Sequence, residues 1–233
     1  MTAGSGRYAV YFAPDADSPL ARFGAEWLGY DVATGAAMAQ PAVAGITPDR
    51  LQAITAEPRR YGFHATLKPP FVLADGAEAG ALDEAAAALA RRSGGFAAPR
   101  LRLSCISGFW ALTLSAPCPE MVQLADSCVR DLDRYRAAPA EAELARRRRA
   151  GLSRHQEALL VRWGYPYVMD EFRFHMTLTQ RLDATEGAVI ERILKPLVDP
   201  FCQALLAVNA ISLFHQPDTD VPFRLIRRYP LAG

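Results

Sequence analysis

The chain has 233 residues, of which 51% are hydrophobic and 22% are charged, and these values exclude disordered, fibrous and membrane-spanning proteins. The 26 basic and 25 acidic residues leave a formal charge of +1. That balance excludes a protein that grips long nucleic acid, because such binding needs a large net positive field. A chain of this length can bury a sizeable core, as one large domain or two small lobes.

The N-terminal residues and the cysteines indicate a cellular compartment. Met1 to Gly6 is small and polar and lacks the charged, apolar and cleavage regions of a signal peptide. The four cysteines follow neither a paired metal spacing nor a dense disulfide pattern. We therefore predict a cytoplasmic protein with reduced, buried thiols and no membrane partner.

The first half of the chain alternates strand and helix signals. Arg7 to Phe12 is aromatic and β-branched and predicts a strand. Ser18 followed by Pro19 is typical of a helix start, and so is Thr47 followed by Pro48. Residues 78–92 have a helical pattern. Residues 101–106 and 109–115 flank Ser107-Gly108, which predicts a hairpin.

The second half continues in the same way. Residues 119–132 and 141–149 have helical patterns, and two capping boxes, Ser153 with Gln156 and Asp183 with Glu186, open further helices. Strands are predicted over 171–182, 209–214 and 222–228. Because no glycine-rich phosphate loop follows a strand, we expect an α+β fold with mainly antiparallel sheets instead of a doubly wound nucleotide fold.

One five-residue frame occurs twice. Phe-His-x-Thr-Leu spans residues 63–67 and again residues 174–178, 111 residues apart. The chain has four histidines, and two of them occupy this frame on two predicted strands. We interpret the repeat as the trace of two related half-structures.

Strand alternation determines which side chains each motif presents. His64 and Thr66 share one face, while the flanking apolar residues occupy the other. The same alternation adds a cation to each polar face, Lys68 in the first motif and Arg173 in the second. Brought side by side, the two motifs would line a cleft suited to phosphate with His64, Thr66, Lys68, Arg173, His175 and Thr177.

These residue types fit acid–base chemistry at phosphorus. Imidazole has an ordinary pKa near 6.5, so one histidine can act as base and the other as acid at neutral pH. The threonines and cations would bind the non-bridging oxygens as negative charge develops. We expect no metal and no cofactor in this mechanism.

Other readings compete for single residues. Either threonine taken alone could be a strand former, and we expect His155 and His215 to be structural histidines. Arg146 to Arg149 is expected to be a solvated helix face, with an electrostatic lip for a phosphorylated ligand as the alternative. Tyr61, Tyr165 and Tyr167 precede the motifs as packing residues, and Tyr61 and Tyr167 are candidate substrate contacts.

A zinc site is the main rival for the pair of histidines. Catalytic zinc takes three protein ligands, and Asp170 and Glu171 precede His175. Only Glu171 has the correct strand parity, and the first motif has no carboxylate. Both points weigh against a zinc site.

The two motifs, YGFHATLKPPF at 61–71 and FRFHMTLTQRL at 172–182, resemble those of the two-histidine (2H) phosphoesterase superfamily. The resemblance implies one bilobal domain over residues 1–233, with two mainly antiparallel sheets related by a pseudo-twofold, outer helices and a central cleft. It also assigns catalytic roles to His64, Thr66, His175 and Thr177. RYAVYFAP at 7–14 and AGLSRHQEALLVRWGYPYV at 150–168 are similar to one branch in particular, found with carbon-phosphorus lyase genes for phosphonate use.

That branch implies a substrate. Phosphonate degradation by the lyase yields 5-phosphoribosyl 1,2-cyclic phosphate, whose cyclic ester must be opened. We therefore predict a metal-independent cyclic phosphodiesterase acting on a small phosphorylated sugar or cyclic phosphate. RNA-end processing of a 2′,3′-cyclic phosphate, hydrolytic or ligase-like, stays open, as does a non-catalytic binder of a phosphorylated metabolite.

Overall fold

A computed structural model describes residues 6–149 and 151–233. The described residues form eleven strands, namely β1 (Arg7–Phe12), β2 (Tyr30–Asp31), β3 (Ala36–Ala37), β4 (Ala65–Val72), β5 (Phe96–Ala98), β6 (Leu101–Ile106), β7 (Phe109–Leu114), β8 (His175–Thr177), β9 (Leu206–Val208), β10 (Ala210–Gln216) and β11 (Arg224–Pro230). They also form eight α-helices, namely α1 (Pro19–Leu28), α2 (Pro48–Ile54), α3 (Ala56–Arg59), α4 (Ala79–Arg92), α5 (Pro119–Asp131), α6 (Glu141–Arg148), α7 (Arg154–Trp163) and α8 (Ala184–Val198). The prediction of an unsecreted protein rests partly on residues 1–5, which lie outside the described part.

Seven strands form one antiparallel sheet in the order β11-β10-β1-β4-β8-β7-β6. Two short antiparallel pairs, β2-β3 and β5-β9, complete the strand pairing. The prediction of an α+β, mainly antiparallel fold is therefore confirmed. The prediction of two separate sheets is wrong, because β4 and β8 are hydrogen-bonded neighbours. Their pairing covers strand edges that would otherwise leave backbone groups unpaired.

The main core lies between one face of this sheet and the helices. Trp27 of α1, Leu89 of α4 and Leu194 of α8 are fully buried there together with Leu112 and Met176 of the sheet. The opposite face carries a smaller buried cluster that includes Tyr11, Phe214 and Phe223. We call this opposite side the cleft face.

Local sequence signals explain several boundaries. Ser107 (φ 48°) and Gly108 (φ 91°) both have positive φ, which is the backbone of a two-residue hairpin turn. Ser153 and Gln156 form the predicted capping box of α7. Asp183 accepts a hydrogen bond from the Glu186 backbone N–H at the start of α8, which is one half of the predicted capping box, and the Glu186 side chain pairs with Arg50 instead of completing the other half.

The second motif strand is shorter than predicted. Strand β8 covers only His175–Thr177, and Met169–Glu171 forms a 3₁₀ turn in which Met169 has a φ of 56°. After Thr177 the chain turns away, and Thr179 Oγ1 accepts from the Trp110 backbone N–H. The alternation assumed over 171–182 therefore holds only for the central residues.

The cysteines and helices bear on the predicted compartment. Cys118 and Cys128 are buried and Cys202 is partly buried, but Cys105 on edge strand β6 is exposed, so the prediction of buried thiols is wrong for Cys105. Among the described helices, no segment is both long and apolar enough to cross a membrane.

Candidate active site

The two motifs meet at the junction of β4 and β8. The registered pair between these strands is Ala65 with Met176, the same frame position in both motifs. In an antiparallel pair a local twofold axis relates the two strands, and here it relates His64 to His175 and Thr66 to Thr177. The polar residues flank this pair on the cleft face. The structure therefore brings together the four residues that the sequence singles out.

Each imidazole is held by an equivalent hydrogen bond to a backbone carbonyl two residues before it. His64 Nδ1 donates to the Gly62 carbonyl at 2.9 Å, and His175 Nδ1 donates to the Arg173 carbonyl at 2.7 Å. A carbonyl only accepts, so in each neutral ring the proton is on Nδ1 and Nε2 carries the lone pair. Gly62 supplies its carbonyl from a φ of 74°, and an added Cβ would lie 1.8 Å from Val32. Each motif thus presents an unprotonated Nε2.

His64 lies in an aromatic environment. The Tyr11 ring stacks on it with 3.8 Å between ring centroids, and Tyr61 and Phe214 lie at 6.2 and 6.4 Å. Burial lowers the pKa of His64 from 6.5 to about 4, while the bond to Gly62 opposes that shift and the nearby His175 adds to it. Thr66 Oγ1 lies 3.2 Å from Nε2, so the threonine hydroxyl can donate to the lone pair. His64 is therefore a neutral hydrogen-bond acceptor.

His175 has a less enclosed environment. Its aromatic neighbour is Phe109, with 5.8 Å between tilted ring centroids. Burial lowers the pKa of His175 below its ordinary value, and the bond to the Arg173 carbonyl opposes that shift. Its cross-strand neighbour is Thr113 of β7, a polar residue instead of a stacked ring. Of the two rings, His175 is the easier to protonate.

A cleft of about 400 Å³ opens beside the motifs. Its lining combines aromatic rings, hydroxyls and two charges of opposite sign, namely Glu57, Tyr61, His64, Phe109, Tyr165, Thr177, Thr179 and Arg181. Arg181 makes no ion pair with a carboxylate in the part of the chain that the structure describes. The cleft can therefore hold a small anionic ligand against one wall.

Lys68 does not face the cleft, contrary to the sequence prediction. Thr66 pairs with Tyr11 and Lys68 pairs with Val10, so one extra residue bulges out of β4 and reverses the alternation. The Lys68 side chain is 1% exposed on the helix side, where Nζ donates to the Val129 carbonyl at 3.1 Å and lies 3.4 Å from Asp133. Burial lowers the pKa of Lys68 to about 8.

Of the four motif residues, His64 and Thr177 line this cleft, whereas Thr66 and His175 flank the strand junction outside the lining. Two other predicted contacts also lie outside it. Tyr167 is 43% exposed and packs edge-on against Tyr165, which lines the cleft in its place. The two tyrosines flank Pro166 in a bent segment, so they do not share one face as residues two apart in an extended strand would. Arg173 is exposed and lines a neighbouring groove beside β6. Tyr61 lies in the cleft as predicted.

The two carboxylates that the zinc alternative needs, Asp170 and Glu171, make other contacts in this structure. Asp170 lies 2.8 Å from His155 at the surface, and Glu171 accepts from Gln156 at 3.1 Å. Across residues 6–149 and 151–233, no group of three or more His, Cys, Asp or Glu side chains could hold a metal ion. His155 and His215 both lie outside the cleft lining, and His215 packs on Tyr8 with 4.5 Å between ring centroids.

The arginine run of α6 is mostly paired, as expected for a solvated helix face. Arg147 lies 2.7 Å from Glu143, and Arg148 lies 2.8 Å from Glu157. Arg147 also stacks on Tyr165 at 4.6 Å from its ring centroid. Arg147 therefore supports the cleft wall by packing against Tyr165.

Sequence analysis missed three residues of this site. Tyr11 reaches His64 because β1 pairs with β4, which no local pattern reveals. Arg181 and Glu57 line the cleft from segments that follow or precede the motifs. Arg181 lies six positions after His175. Strand alternation would place it on the polar face only if the strand ran through residues 171–182, but β8 ends at Thr177.

Curated relatives cover nearly all of this chain. It is 40% identical over 231 residues to "Ribose 1,5-bisphosphate phosphokinase PhnN" of Janthinobacterium sp. (strain Marseille), covering 97% of this chain and 51% of the relative. A protein of the same name from Laribacter hongkongensis (strain HLHK9) is 37% identical over 223 residues, with 95% and 51% covered. The chain thus spans about half the length of these relatives.

Solved structures and a family description complete the similarities. E. coli LigT complexed with 3′-AMP matches with a TM-score of 0.44 and 14% identity, covering 98% of this chain and 99% of LigT. E. coli LigT complexed with phosphate matches with a TM-score of 0.44 and 12% identity, with 99% of each chain covered. Residues 66–224 match the family described as "Protein of unknown function (DUF1045)". The chain therefore belongs to the DUF1045 family.

Proposed function

We propose that this protein opens the cyclic ester of 5-phosphoribosyl 1,2-cyclic phosphate by general acid–base catalysis with His64 and His175. The observation that carries the proposal is the pairing of Ala65 with Met176, which sets two matched histidine–threonine motifs side by side. Two imidazoles, each with a lone pair on Nε2, supply a base and an acid, so the mechanism needs no metal. The matched Nδ1 hydrogen bonds support an origin in two related halves.

The two histidines take different roles in this proposal. His64, whose pKa is about 4, accepts a proton from water through Nε2 as the water oxygen bonds to phosphorus. The bond between phosphorus and the ribose 2-oxygen breaks, and His175 Nε2–H donates its proton to that leaving oxygen. The cation on His175 is stabilised by the phosphate anion. The product keeps the phosphate on carbon 1 and is ribose 1,5-bisphosphate.

The threonines and Arg181 stabilise the developing charge. Thr66 and Thr177 flank the paired residues on the cleft face and offer hydroxyl donors to the non-bridging oxygens. Arg181 lines the same cleft as Thr177 and adds a positive charge. These groups replace Lys68 as the phosphate ligands of the site.

The names of the relatives support the choice of sugar. They are named for a phosphokinase of ribose 1,5-bisphosphate, which is the product of the ring opening proposed above. We assign the phosphokinase activity to the half of those relatives that this chain does not match, since this sequence has no glycine-rich phosphate loop after a strand. The resemblance to the branch associated with phosphonate use supports the same substrate.

A second candidate follows from the aromatic lining. Tyr61, Phe109 and Tyr165 offer ring faces beside the motifs, and a nucleobase could stack on them. A nucleoside 2′,3′-cyclic phosphate is then the substrate, with the same two histidines acting on phosphorus. The formal charge of +1 favours a small molecule over long RNA for either reaction.

Phosphorus NMR of the purified protein, in the presence of a chelator, tests the proposal. We expect 5-phosphoribosyl 1,2-cyclic phosphate to convert to ribose 1,5-bisphosphate, and a nucleoside 2′,3′-cyclic phosphate to stay unchanged. Opening of the nucleotide alone would establish the second candidate instead. Binding without conversion of either compound would identify a non-catalytic binder, and transfer from ATP to ribose 1,5-bisphosphate would contradict the assignment of the kinase activity elsewhere.

A further inference from the structure

A second groove, mostly apolar but with several polar side chains in its lining, lies at the β6 edge of the seven-stranded sheet, next to the residues that precede His175. It has a volume of about 630 Å³, and its lining includes Arg102, Ser104, Thr113 and Arg173. Among the described residues that line it, none is a carboxylate. We call it the β6 groove.

The sheet register connects this groove to the candidate active site. Arg102 pairs with Thr113 across β6 and β7, and Thr113 pairs with His175 across β7 and β8. Cross-strand partners place their side chains on the same face, so these three residues form a row on the cleft face. Two strand spacings, about 10 Å, separate the Arg102 and His175 backbones.

The Arg102 side chain leans along this row toward His175. Its Nε lies 3.4 Å from Thr113 Oγ1, which in turn lies 2.7 Å from Ser104 Oγ. The guanidinium therefore lies over the residue that separates it from the histidine.

The charge of the groove is uncompensated. Within the described part of the chain, Arg102 and Arg173 form no ion pair with a carboxylate, whereas Arg92, Arg136 and Arg228 each do. Two guanidinium groups with free donors and no acid beside them suit a dianion that offers several acceptor oxygens.

We propose that the β6 groove binds a second phosphate group, the terminal phosphomonoester of a sugar whose cyclic ester lies between His64 and His175. This inference rests on the proposed function for the position of the cyclic ester. It makes the preferred substrate class a bisphosphorylated sugar, and it gives Arg102 and Arg173 the role of recognising the phosphate that does not react.

The test compares two substrates, 5-phosphoribosyl 1,2-cyclic phosphate and ribose 1,2-cyclic phosphate, which lacks the terminal phosphate. We expect Arg102→Met to reduce the ratio of their kcat/KM values about 10- to 100-fold, as expected for the loss of a charge-assisted hydrogen bond. Arg173→Met should act in the same direction. Arg22→Met is the matched control, an exposed arginine on α1, and should leave the ratio unchanged. An unchanged ratio in both groove variants would overturn the proposal.

Binding of ribose 5-phosphate, measured by calorimetry, separates this proposal from the proposed function. We expect the wild-type protein to bind it and the double variant Arg102→Met, Arg173→Met to bind about 10-fold or more weakly. If the wild type opens neither cyclic ester but shows this difference, the groove assignment stands and the proposed reaction fails. Equal binding by both proteins, or no binding by the wild type, would overturn the groove assignment.

Discussion

The two motif histidines share one hydrogen-bond arrangement but differ in their surroundings. His64 lies under the Tyr11 ring with its pKa lowered to about 4, whereas the cross-strand neighbour of His175 is Thr113, which lines the β6 groove. A twofold-related pair would be equally suited to both directions of proton transfer. In the proposed reaction, the unequal burial suits His64 to the role of base and leaves His175 free to hold a proton beside an anion.

The largest expected effect is loss of either imidazole. We expect His64→Gln and His175→Gln each to lower kcat for the cyclic sugar ester about 10²- to 10⁴-fold, because each ring contributes one proton transfer. His215→Gln is the matched control, a histidine outside both motifs that packs on Tyr8. Steady-state kinetics measures kcat, and circular dichroism checks that the variants fold. Retention of most activity in either motif variant would contradict the catalytic assignment.

Loss of a motif hydroxyl should have a smaller effect. Thr66→Val and Thr177→Val each remove one donor from the charge that develops on the phosphate oxygens, and we expect kcat/KM to fall about 10- to 100-fold. Thr185→Val, an exposed position on α8, should change nothing. If Thr66→Val is impaired and Thr177→Val is not, the two threonines do not both donate to the phosphate oxygens. The Thr66 hydroxyl then acts through its hydrogen bond to His64 Nε2.

The pH dependence of kcat/KM measures the difference between the rings in the free protein. The reaction needs His64 neutral and His175 protonated. Because burial lowers both pKa values, activity should rise as the pH increases through about 4 and fall as the pH increases through a value below 6.5. The slope on each limb should be about tenfold per pH unit. A maximum above pH 7 would contradict the assigned protonation states.

A variant of Lys68 tests whether this side chain lies on the helix side of β4 or on its cleft side. Because the Lys68 side chain is buried away from the cleft, we expect Lys68→Met to leave kcat/KM within about twofold of wild type. A 100-fold loss of kcat/KM would instead indicate that Lys68 binds the phosphate. Lys195→Met is the control, because the Lys195 side chain is exposed on the outer side of α8.

The same variant should change the stability profile. The folded protein binds fewer protons at Lys68 than the unfolded chain between pH 8 and 10.5, because the folded pKa is lowered to about 8. The free energy of unfolding should therefore rise across this window in the wild type by about 2–3 kcal/mol more than in Lys68→Met. Denaturant unfolding at several pH values measures this difference. An identical profile in both proteins would contradict the buried position of the ammonium group.

The sequence was sufficient for the parts of the fold that depend on local patterns. The Ser107-Gly108 hairpin, the Ser153 capping box and the first strand all follow from residue types at short spacing. The two histidine–threonine motifs were also visible, because the same frame occurs twice. Their faces followed from strand alternation, which holds for the two or three residues nearest each histidine.

The remaining parts of the site depend on pairing between distant segments. The bulge that reverses Lys68 arises where β4 pairs with β1, and Tyr11 reaches His64 through the same pairing. The 3₁₀ turn at Met169–Glu171 ended the alternation that had given Glu171 a place beside His175. Register and bulges are tertiary features, so a single sequence does not determine them.

The most direct test of the division between the two histidines replaces the leaving group. An aryl phosphodiester such as a p-nitrophenyl ester needs no proton on its leaving oxygen, so it makes the general acid dispensable but still needs the base. We expect it to bring His175→Gln within about tenfold of wild type while His64→Gln stays impaired. Rescue of His64→Gln instead, or equal impairment of both variants, would contradict the assignment of His64 as the base and His175 as the acid.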